Sequence, residues 1–492
     1  MHSNHPTHEP RICKRRRHRS IAWAAGIAIA CPTRAADRLE TVYYDFVDEN
    51  GNLRGGRVEL LLPGPDAWRG VIPAPCTTLL FNGPSSNRID MVVVGDGYLN
   101  PQLAAYAAHT NNWINAFVAQ QPFLAYSTFF NIHRVDVVSP ESGVDHDPTY
   151  PIWRDTALGM GFWCSNIERL LCVTVGQAYA YAENAPDVDA VIAVANSTKY
   201  GGAGYTASDL ATLSGGNSLA GEIAIHELGH SLGNLADEYD YADGTTYTGP
   251  EPIEPNASKL TAAQMTASGS KWATWIGFNN AAFDGNHSTY QGCRYYQFGV
   301  YRPTNSSKMR ALGRPFNAVS VESLVIEMYK IVRPIDDSTP TGAPLNGSET
   351  VWADVVQPAD HNLTMRWLLD GFVVTGATGP ALDLGTVEMD EGVHMLRFEA
   401  RDDTPWVRNE AARMQWMQDS RTWSIVLDFA VGDANCDGAV NVLDINPFVL
   451  AIGDEAAYLD QYPGCDILNC DANGDGTADV LDVNAFVALL QG

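Results

Sequence analysis

The 492-residue sequence predicts a multidomain chain: an α/β domain at its centre, β segments on both sides of it, and a small C-terminal α-helical module of EF-hand type. Three observations carry this. Val188 to Asn196 reads as a buried strand, and a helical stretch bearing His226-Glu227-Leu228-Gly229-His230 follows it, which is the strand-then-helix alternation of an α/β domain. On both sides, short runs broken by Gly, Asn and Pro read as β structure. Near the C-terminus an acidic loop pattern occurs twice, each time before an apolar stretch of helical period.

In chain order, Lys14-Arg15-Arg16-Arg17-His18-Arg19 precedes the short apolar stretch Ile21 to Ala30 and small residues around Ala35-Ala36. This is the layout of a signal peptide over residues 1–36, and the apolar stretch is too short to remain as a membrane span. Ala28-Ile29-Ala30-Cys31 weakly resembles a lipoprotein cleavage site, and ordinary cleavage after Ala36 is preferred. The protein is expected to be exported, either secreted or attached at the cell surface. Residues 37–84, with strand-like runs such as Thr41-Val42-Tyr43-Tyr44-Asp45-Phe46, are expected to form a small β domain.

On a helix, His226 and His230 lie on one face a turn apart, so both imidazoles can reach one Zn²⁺. Glu227 lies beside such a metal rather than on it, where a carboxylate can take a proton from zinc-bound water and pass it to a leaving amine. That is the chemistry of peptide-bond hydrolysis. The five-residue pattern also occurs on helices that bind nothing, but its surroundings favour a metal. Asn217 or Ser218 can cap the helix, Glu222 suits its positive end, Ile223, Ile225, Leu228 and Leu232 supply packing surface, and Gly233 lets it stop. Gly201-Gly202-Ala203-Gly204 is expected to be a flexible loop between strand and helix.

Zinc catalysis needs a third protein ligand and an open position for water. Metzincin peptidases supply a third histidine three residues after the glycine, where this chain has Ala236. Asp237 and Glu238 are therefore the candidates. Asp237 is preferred, because a short side chain soon after the glycine turn suits a rigid site, and Glu238 would then orient a histidine.

Further segments resemble the IgA-type zinc metallopeptidases, peptidase family M64. They are Val94-Gly95-Asp96-Gly97-Tyr98, Ser139-Pro140-Glu141-Ser142-Gly143-Val144-Asp145, Asn196-Ser197-Thr198-Lys199-Tyr200-Gly201-Gly202, the histidine segment through Tyr239, and Tyr301-Arg302-Pro303 with Lys308-Met309-Arg310. The resemblance implies a metzincin-like catalytic domain over residues 85–335, with Met309 forming the turn beneath the metal. Read alone, Met309 would be core filler. Tyr301 is a candidate for stabilising the oxyanion, against the plainer reading of a packed tyrosine. Immunoglobulin cleavage belongs to certain members and is not carried over to this chain.

After Asp336-Asp337-Ser338-Thr339-Pro340-Thr341-Gly342, residues 336–430 are expected to form a β-sandwich accessory domain, a spacer in preference to a substrate- or carbohydrate-binding module, with His394 structural. In residues 431–492, Asp433, Asn435, Asp437, Asn441 and Asp444 stand at calcium-loop positions with Gly438 at the sharp turn, and Asp471, Asn473, Asp475, Asp479 and Asp482 repeat the register around Gly476. Ile445, Phe448, Val449 and Ile452 follow the first loop, and Val483, Phe486, Val487 and Leu490 the second, each set at the spacing of one buried helix face. Eleven acidic and no Lys or Arg residues from Gly432 onward make Ca²⁺ part of the expected fold. This duplicated loop-and-helix looks like a type I dockerin, which implies a cohesin-like partner, and a surface-sorting role is an equal reading.

The net charge of −27 excludes nucleic acids and anionic membranes as general electrostatic partners. Of nine cysteines, Cys164 with Cys172, and Cys436 with Cys465 or Cys470, are plausible disulfides. The sequence thus predicts an exported zinc endopeptidase acting on protein or peptide, with no transmembrane span in the mature chain. The alternatives are a non-catalytic adhesion protein with a structural metal, and a zinc amidase for a non-protein substrate. Intact Glu227 and an apparently open fourth zinc position argue against the structural-metal alternative.

Overall fold

The computed structural model describes residues 37–48, 53–63, 70–390, 392–427, 430–463 and 465–491. The expected leader at 1–36 lies outside the described residues. An eight-stranded mixed sheet frames the N-terminal half. Its strands are β1 (Arg38–Val47), β2 (Leu53–Leu62), β3 (Cys76–Leu80), β4 (Ile89–Asp96), β5 (Phe130–Val135), β6 (Ala190–Ala195), β7 (Gly202–Tyr205) and β8 (Leu210–Ser214), in the order β2-β1-β7-β8-β6-β4-β5-β3. β5, β4, β6 and β8 are parallel, whereas β7 runs antiparallel to β8 and β1 antiparallel to β7.

β6 and the Met91–Gly95 run of β4 are apolar without interruption because helices or packed loops cover both faces. Met91, Val93, Ile192 and Val194 share a core with Trp113 and Phe117 of α1 (Leu103–Ala119) and Ala224 and Leu228 of α3 (Ala220–Ser231). Val92, Val94, Val191 and Ala193 point the other way, to Val175, Ala178 and Ala182 of α2 (Val175–Ala182). A disulfide, Cys164–Cys172, closes part of the segment on that second face.

Two expectations are corrected here. Residues 37–84 do not stand apart as a β domain: β1 pairs with β7 through Val42↔Tyr205 and Tyr43↔Gly204, and β3 pairs with β5. A lone hairpin has too little apolar surface to be stable, and Val42 instead enters the core beneath the sheet. The glycine-rich segment expected to be a flexible loop is the strand β7. Its glycines answer to close packing, since a Cβ at Gly204 would lie 2.6 Å from Glu227 Oε2 and one at Gly202 would lie 2.7 Å from Ile223 Cγ2. The backbone of β7 therefore runs directly along α3.

After α3 come α4 (Ala262–Ser268), a hairpin of Tyr290–Cys293 with Tyr296–Arg302, and α5 (Ala318–Tyr329). Neither Asn217 nor Ser218 caps α3. The helix starts after Leu219, and Asn217 Oδ1 accepts from the Leu219 amide at 2.9 Å. At the other end the left-handed residue is Asn234, with φ 52°. Gly233 is required by packing, because a Cβ there would meet the Gly229 carbonyl at 2.8 Å and Leu324 of α5 at 2.9 Å.

From Ile335 a three-stranded and a four-stranded sheet face each other across a core of Val351, Trp367, Leu396, Phe398 and Trp423, a β-sandwich arrangement. His394 is held by Asp370 at 2.7 Å and the Asp390 carbonyl at 2.7 Å. Buried Asp402 joins this unit to the first sheet's domain, accepting from Tyr126 and Tyr329 hydroxyls at 2.7 Å each and from His361 Nε2 at 3.0 Å. In the C-terminal module Phe448 stacks on Phe486 at 4.0 Å and Cys436 is bonded to Cys465, leaving Cys470 free. Cys76 and Cys293 are also free. Among the described residues no helix is long and apolar enough to cross a membrane.

The hydrogen bond to Asp402, outweighing partial burial, raises His361 to about 9. A free imidazole titrates near ~6.5, so this contribution to stability is full below pH ~6.5 and is lost as pH rises through about 9. Melting temperatures of the wild type and His361→Gln, measured from pH 6 to 10 in roughly one-unit steps, are expected to differ by a few degrees at the acid end and to converge at the alkaline end.

Candidate metal centre

The site is built where β1 crosses the C-terminal half of α3. Asp45, His226, His230 and Asp237 are all buried and offer ligand atoms within 4.8 Å of one another. His226 Nε2 is 3.0 Å from Asp45 Oδ2 and 3.1 Å from Asp237 Oδ1, and His230 Nε2 is 3.4 Å from Asp237 Oδ1. The two Nε2 atoms are 3.2 Å apart.

Tautomers follow from the opposite ring nitrogens. His226 Nδ1 lies 3.0 Å from the Lys308 carbonyl and His230 Nδ1 lies 2.7 Å from the Leu235 carbonyl. A carbonyl only accepts, so both Nδ1 atoms carry the proton and donate. In the neutral rings both Nε2 lone pairs then face two carboxylates. Four acceptors converging in a buried volume repel unless a cation, a metal ion or added protons, lies among them. With protons alone, Asp45 and Asp237 outweigh burial and hold His226 well above its usual range. Asp237, despite burial, is held below the usual carboxylate range by His230 and His226.

The surrounding groups orient this set. Tyr295 donates to Asp237 Oδ2 at 2.6 Å and Tyr239 to Asp45 Oδ1 at 2.6 Å. Tyr43, on the same face of β1 as Asp45, stacks on His230 with ring centroids 4.1 Å apart. Gly55 lies opposite Asp45 in the β1–β2 ladder, and a Cβ there would come within 2.6 Å of both Asp45 Oδ1 and the Tyr239 hydroxyl. Imidazole nitrogens and carboxylate oxygens, each fixed by an outer hydrogen bond, are a donor set suited to Zn²⁺.

Glu227 is fully buried and neither carboxylate oxygen has a hydrogen-bond partner. Burial and the nearby Asp45 charge push it well above the usual carboxylate range. The Tyr200 hydroxyl, raised by burial and by Asp45 and Glu227, also has no partner. These unpartnered atoms mark the side of the cluster where a polar substrate or water has something to bond to.

Of the two candidates for a third ligand, the structure brings Asp237 to the histidines and not Glu238. Glu238 accepts from Asn256 at 2.9 Å, Asn317 at 2.8 Å and Ser307 at 2.7 Å. It therefore orients no histidine. Instead it fixes the loop that carries Met309, whose carbonyl accepts from the Glu238 amide at 2.7 Å. Met309 is buried against Gly229, where a Cβ would lie 2.6 Å from its sulfur. It sits beneath the helical turn between the two histidines. Tyr301 is half-buried in the 296–302 strand, bonded through its backbone to Ser258. Among the described residues the hydroxyls bonded to the cluster are those of Tyr239 and Tyr295. Asp45 also shares the cluster. Asp45 is far from the motif in sequence, and its one local signal is a strand alternation that puts it on the face of Tyr43.

In the C-terminal loops the two registers repeat. Asp433 accepts from the amides of Asp437 at 3.1 Å and Gly438 at 2.9 Å, and Asp471 from those of Asp475 at 3.1 Å and Gly476 at 2.7 Å. Asp444 accepts from the amides of Asn435 and Asn441, as Asp482 does from those of Asn473 and Asp479. Phe448 and Phe486 are buried, but Ile445, Val449, Val483 and Val487 of the expected buried faces are exposed.

Residues 77–282 match the family model of IgA Peptidase M64. The match covers α3 and its metal-ligand candidates but not β1, β2 or the C-terminal module, and it supports a peptidase, a hydrolase acting on protein or peptide. No curated protein matches the chain.

Replacing Asp237 by Ala is expected to lower affinity for divalent metal by more than the roughly 10- to 100-fold loss typical of an outer-shell change. Tyr295→Phe should fall within that outer-shell range. Competition with a chromophoric chelator reads both. Equal affinities in wild type and Asp237→Ala would exclude Asp237 as a ligand.

Proposed function

We propose that the chain is an exported zinc endopeptidase with a metzincin-like catalytic domain, in which His226, His230 and Asp237 hold Zn²⁺ and Glu227 moves the proton. The observation that carries this is a buried carboxylate without a partner beside four converging acceptors. Such a group costs folding free energy, and general acid–base work gives it a purpose. When bound, Zn²⁺ supplies Lewis-acid activation of water and of the scissile carbonyl. Glu227 would serve as the proton acceptor for the attacking water and the proton donor to the leaving amine, while the Lys308 and Leu235 carbonyls keep the imidazoles in register. A dication would also draw Glu227 back towards its charged, basic form.

A second reading, a non-catalytic chain with a structural metal, is favoured by Asp45, because four protein ligands make a closed site. Against it stands Glu227, which a structural site does not need. Glu227→Gln should lower hydrolysis of a proteome-derived peptide library by ~10²- to 10⁴-fold while bound zinc stays unchanged. Undiminished hydrolysis would exclude the mechanism.

Export is supported by the leader-like segment at 1–36 and by two disulfides. The C-terminal module is read as a Ca²⁺-dependent dockerin-like attachment unit with a cohesin-like or surface-sorting partner. Its support is the matched loop register, and the matching exposed pairs Val442 with Val480 and Leu443 with Leu481. Asp433→Ala with Asp471→Ala should abolish heat on calorimetric titration with Ca²⁺ and remove the Ca²⁺-induced rise in helical circular dichroism. Peptidase activity should stay within about twofold, since distant sites act independently.

A further inference from the structure

We infer that the β1–β2 hairpin is an autoinhibitory latch: Asp45 is a fourth ligand to the metal held by His226, His230 and Asp237, and β1 occupies the sheet edge an extended peptide substrate would use. The inference rests on the zinc-peptidase reading.

Three independent features support it. The first is ligand geometry. Asp45 Oδ2 is 3.0 Å from His226 Nε2 and belongs to the one acceptor cluster found among the described residues. A carboxylate there takes the position that a hydrolytic metal must keep for water.

The second is the edge. β7 is bonded to β8 on one side and to β1 on the other. Without β1, its outer edge would present free amides and carbonyls directly along Glu227, from whose Oε2 a Cβ at Gly204 would be only 2.6 Å away. An exposed strand edge beside the general base is where an extended peptide adds by backbone pairing. The adjoining cleft, about 320 Å³, is bounded by His230 and Leu235 on one side and by Thr41, Tyr43 and Arg57 of the hairpin on another.

The third is how the hairpin is held. Ten residue pairs join β1 to β2, but two join β1 to β7. Beyond the ladders it is joined to the site, through Tyr43 on His230, Tyr239 on Asp45, Arg54 on the Asp240 carbonyl at 3.2 Å and Tyr241 on the Gly55 carbonyl, and to the turn after β7, where Glu40 accepts from the Ala207 amide at 3.0 Å and the Ser208 amide at 2.7 Å. The hairpin also lies outside the family match at 77–282. It is thus shared between the edge of the sheet and the site.

The test uses the full chain loaded with Co²⁺ in place of Zn²⁺, with acetohydroxamate as a probe of the free ligand position. Asp45→Asn keeps an acceptor for Tyr239 while removing the charged ligand, and Asp45→Ala is the second variant. In either, hydroxamate should change the cobalt visible spectrum at a concentration at least ~10-fold lower than in the wild type, because apparent affinity scales with the competent fraction. Peptide hydrolysis should rise by a similar factor, and adding Glu227→Gln should abolish the gain without changing Co²⁺ affinity. Wild type and variants that respond to hydroxamate at the same concentration would overturn the latch while leaving the zinc reading intact. A saturating response of the intact wild type at roughly millimolar hydroxamate would do so without any variant. A chain that takes up neither metal would overturn both.

Discussion

The need to compensate four buried acceptors at one point governs this molecule. Two imidazoles whose outer nitrogens are committed to the Lys308 and Leu235 carbonyls can offer only lone pairs inward, and two carboxylates meet them there. In a medium of low polarity that arrangement is stable only with positive charge at its centre. Much of the surrounding structure keeps these groups from escaping it. Tyr239 and Tyr295 hold the carboxylates, Tyr43 covers His230, and Gly55 leaves the room these contacts require.

The same demand reaches into the loops behind α3. Glu238 is adjacent to Asp237 yet faces away from the cluster, and three donors from separate segments converge on it. It joins the segment carrying Asp237 to the loop carrying Met309, so the floor beneath the histidine turn and Asp237 are held as one piece. At the start of α3, Glu222 pairs with buried Lys308, whose own carbonyl fixes His226. The helix is thus tied at two points to a single loop, and the spacing of its histidines becomes the position of a metal rather than merely a pattern.

What was legible in the sequence was what local spacing encodes. His226 and His230 sit one turn apart on a helix with Glu227 between them, and in the calcium-type loops Asp433 and Asp471 lie within five positions of the amides they accept from. Asp237 was also within reach, because it follows the helix directly. Asp45 was not: it comes to the site through strand pairing between β1 and β7, and nothing in a strand's own residues states which edge it will join. β7 was misread for a related reason. Glycines that signal flexibility in isolation serve here to let a strand pass against Glu227. The exposed Ile445 and Val449 show the limit of periodicity, since a helical repeat marks an apolar face without saying whether this chain or another covers it.

The hairpin and the metal are coupled in both directions by linkage. If Asp45 adds to the affinity for the metal, the metal adds an equal free energy to the docking of β1–β2. β1 is held to the sheet by two ladder pairs to β7 and by Glu40 on the Ala207 and Ser208 amides, and an occupied centre would add to that docking through Asp45. A strong peptide ligand on the β7 edge competes with that docking and must overcome the Asp45–metal contact as well as the backbone pairing. Substrate entry and exposure of the metal are then one event in this arrangement, and separating them requires either loss of the hairpin or loss of the single carboxylate at position 45.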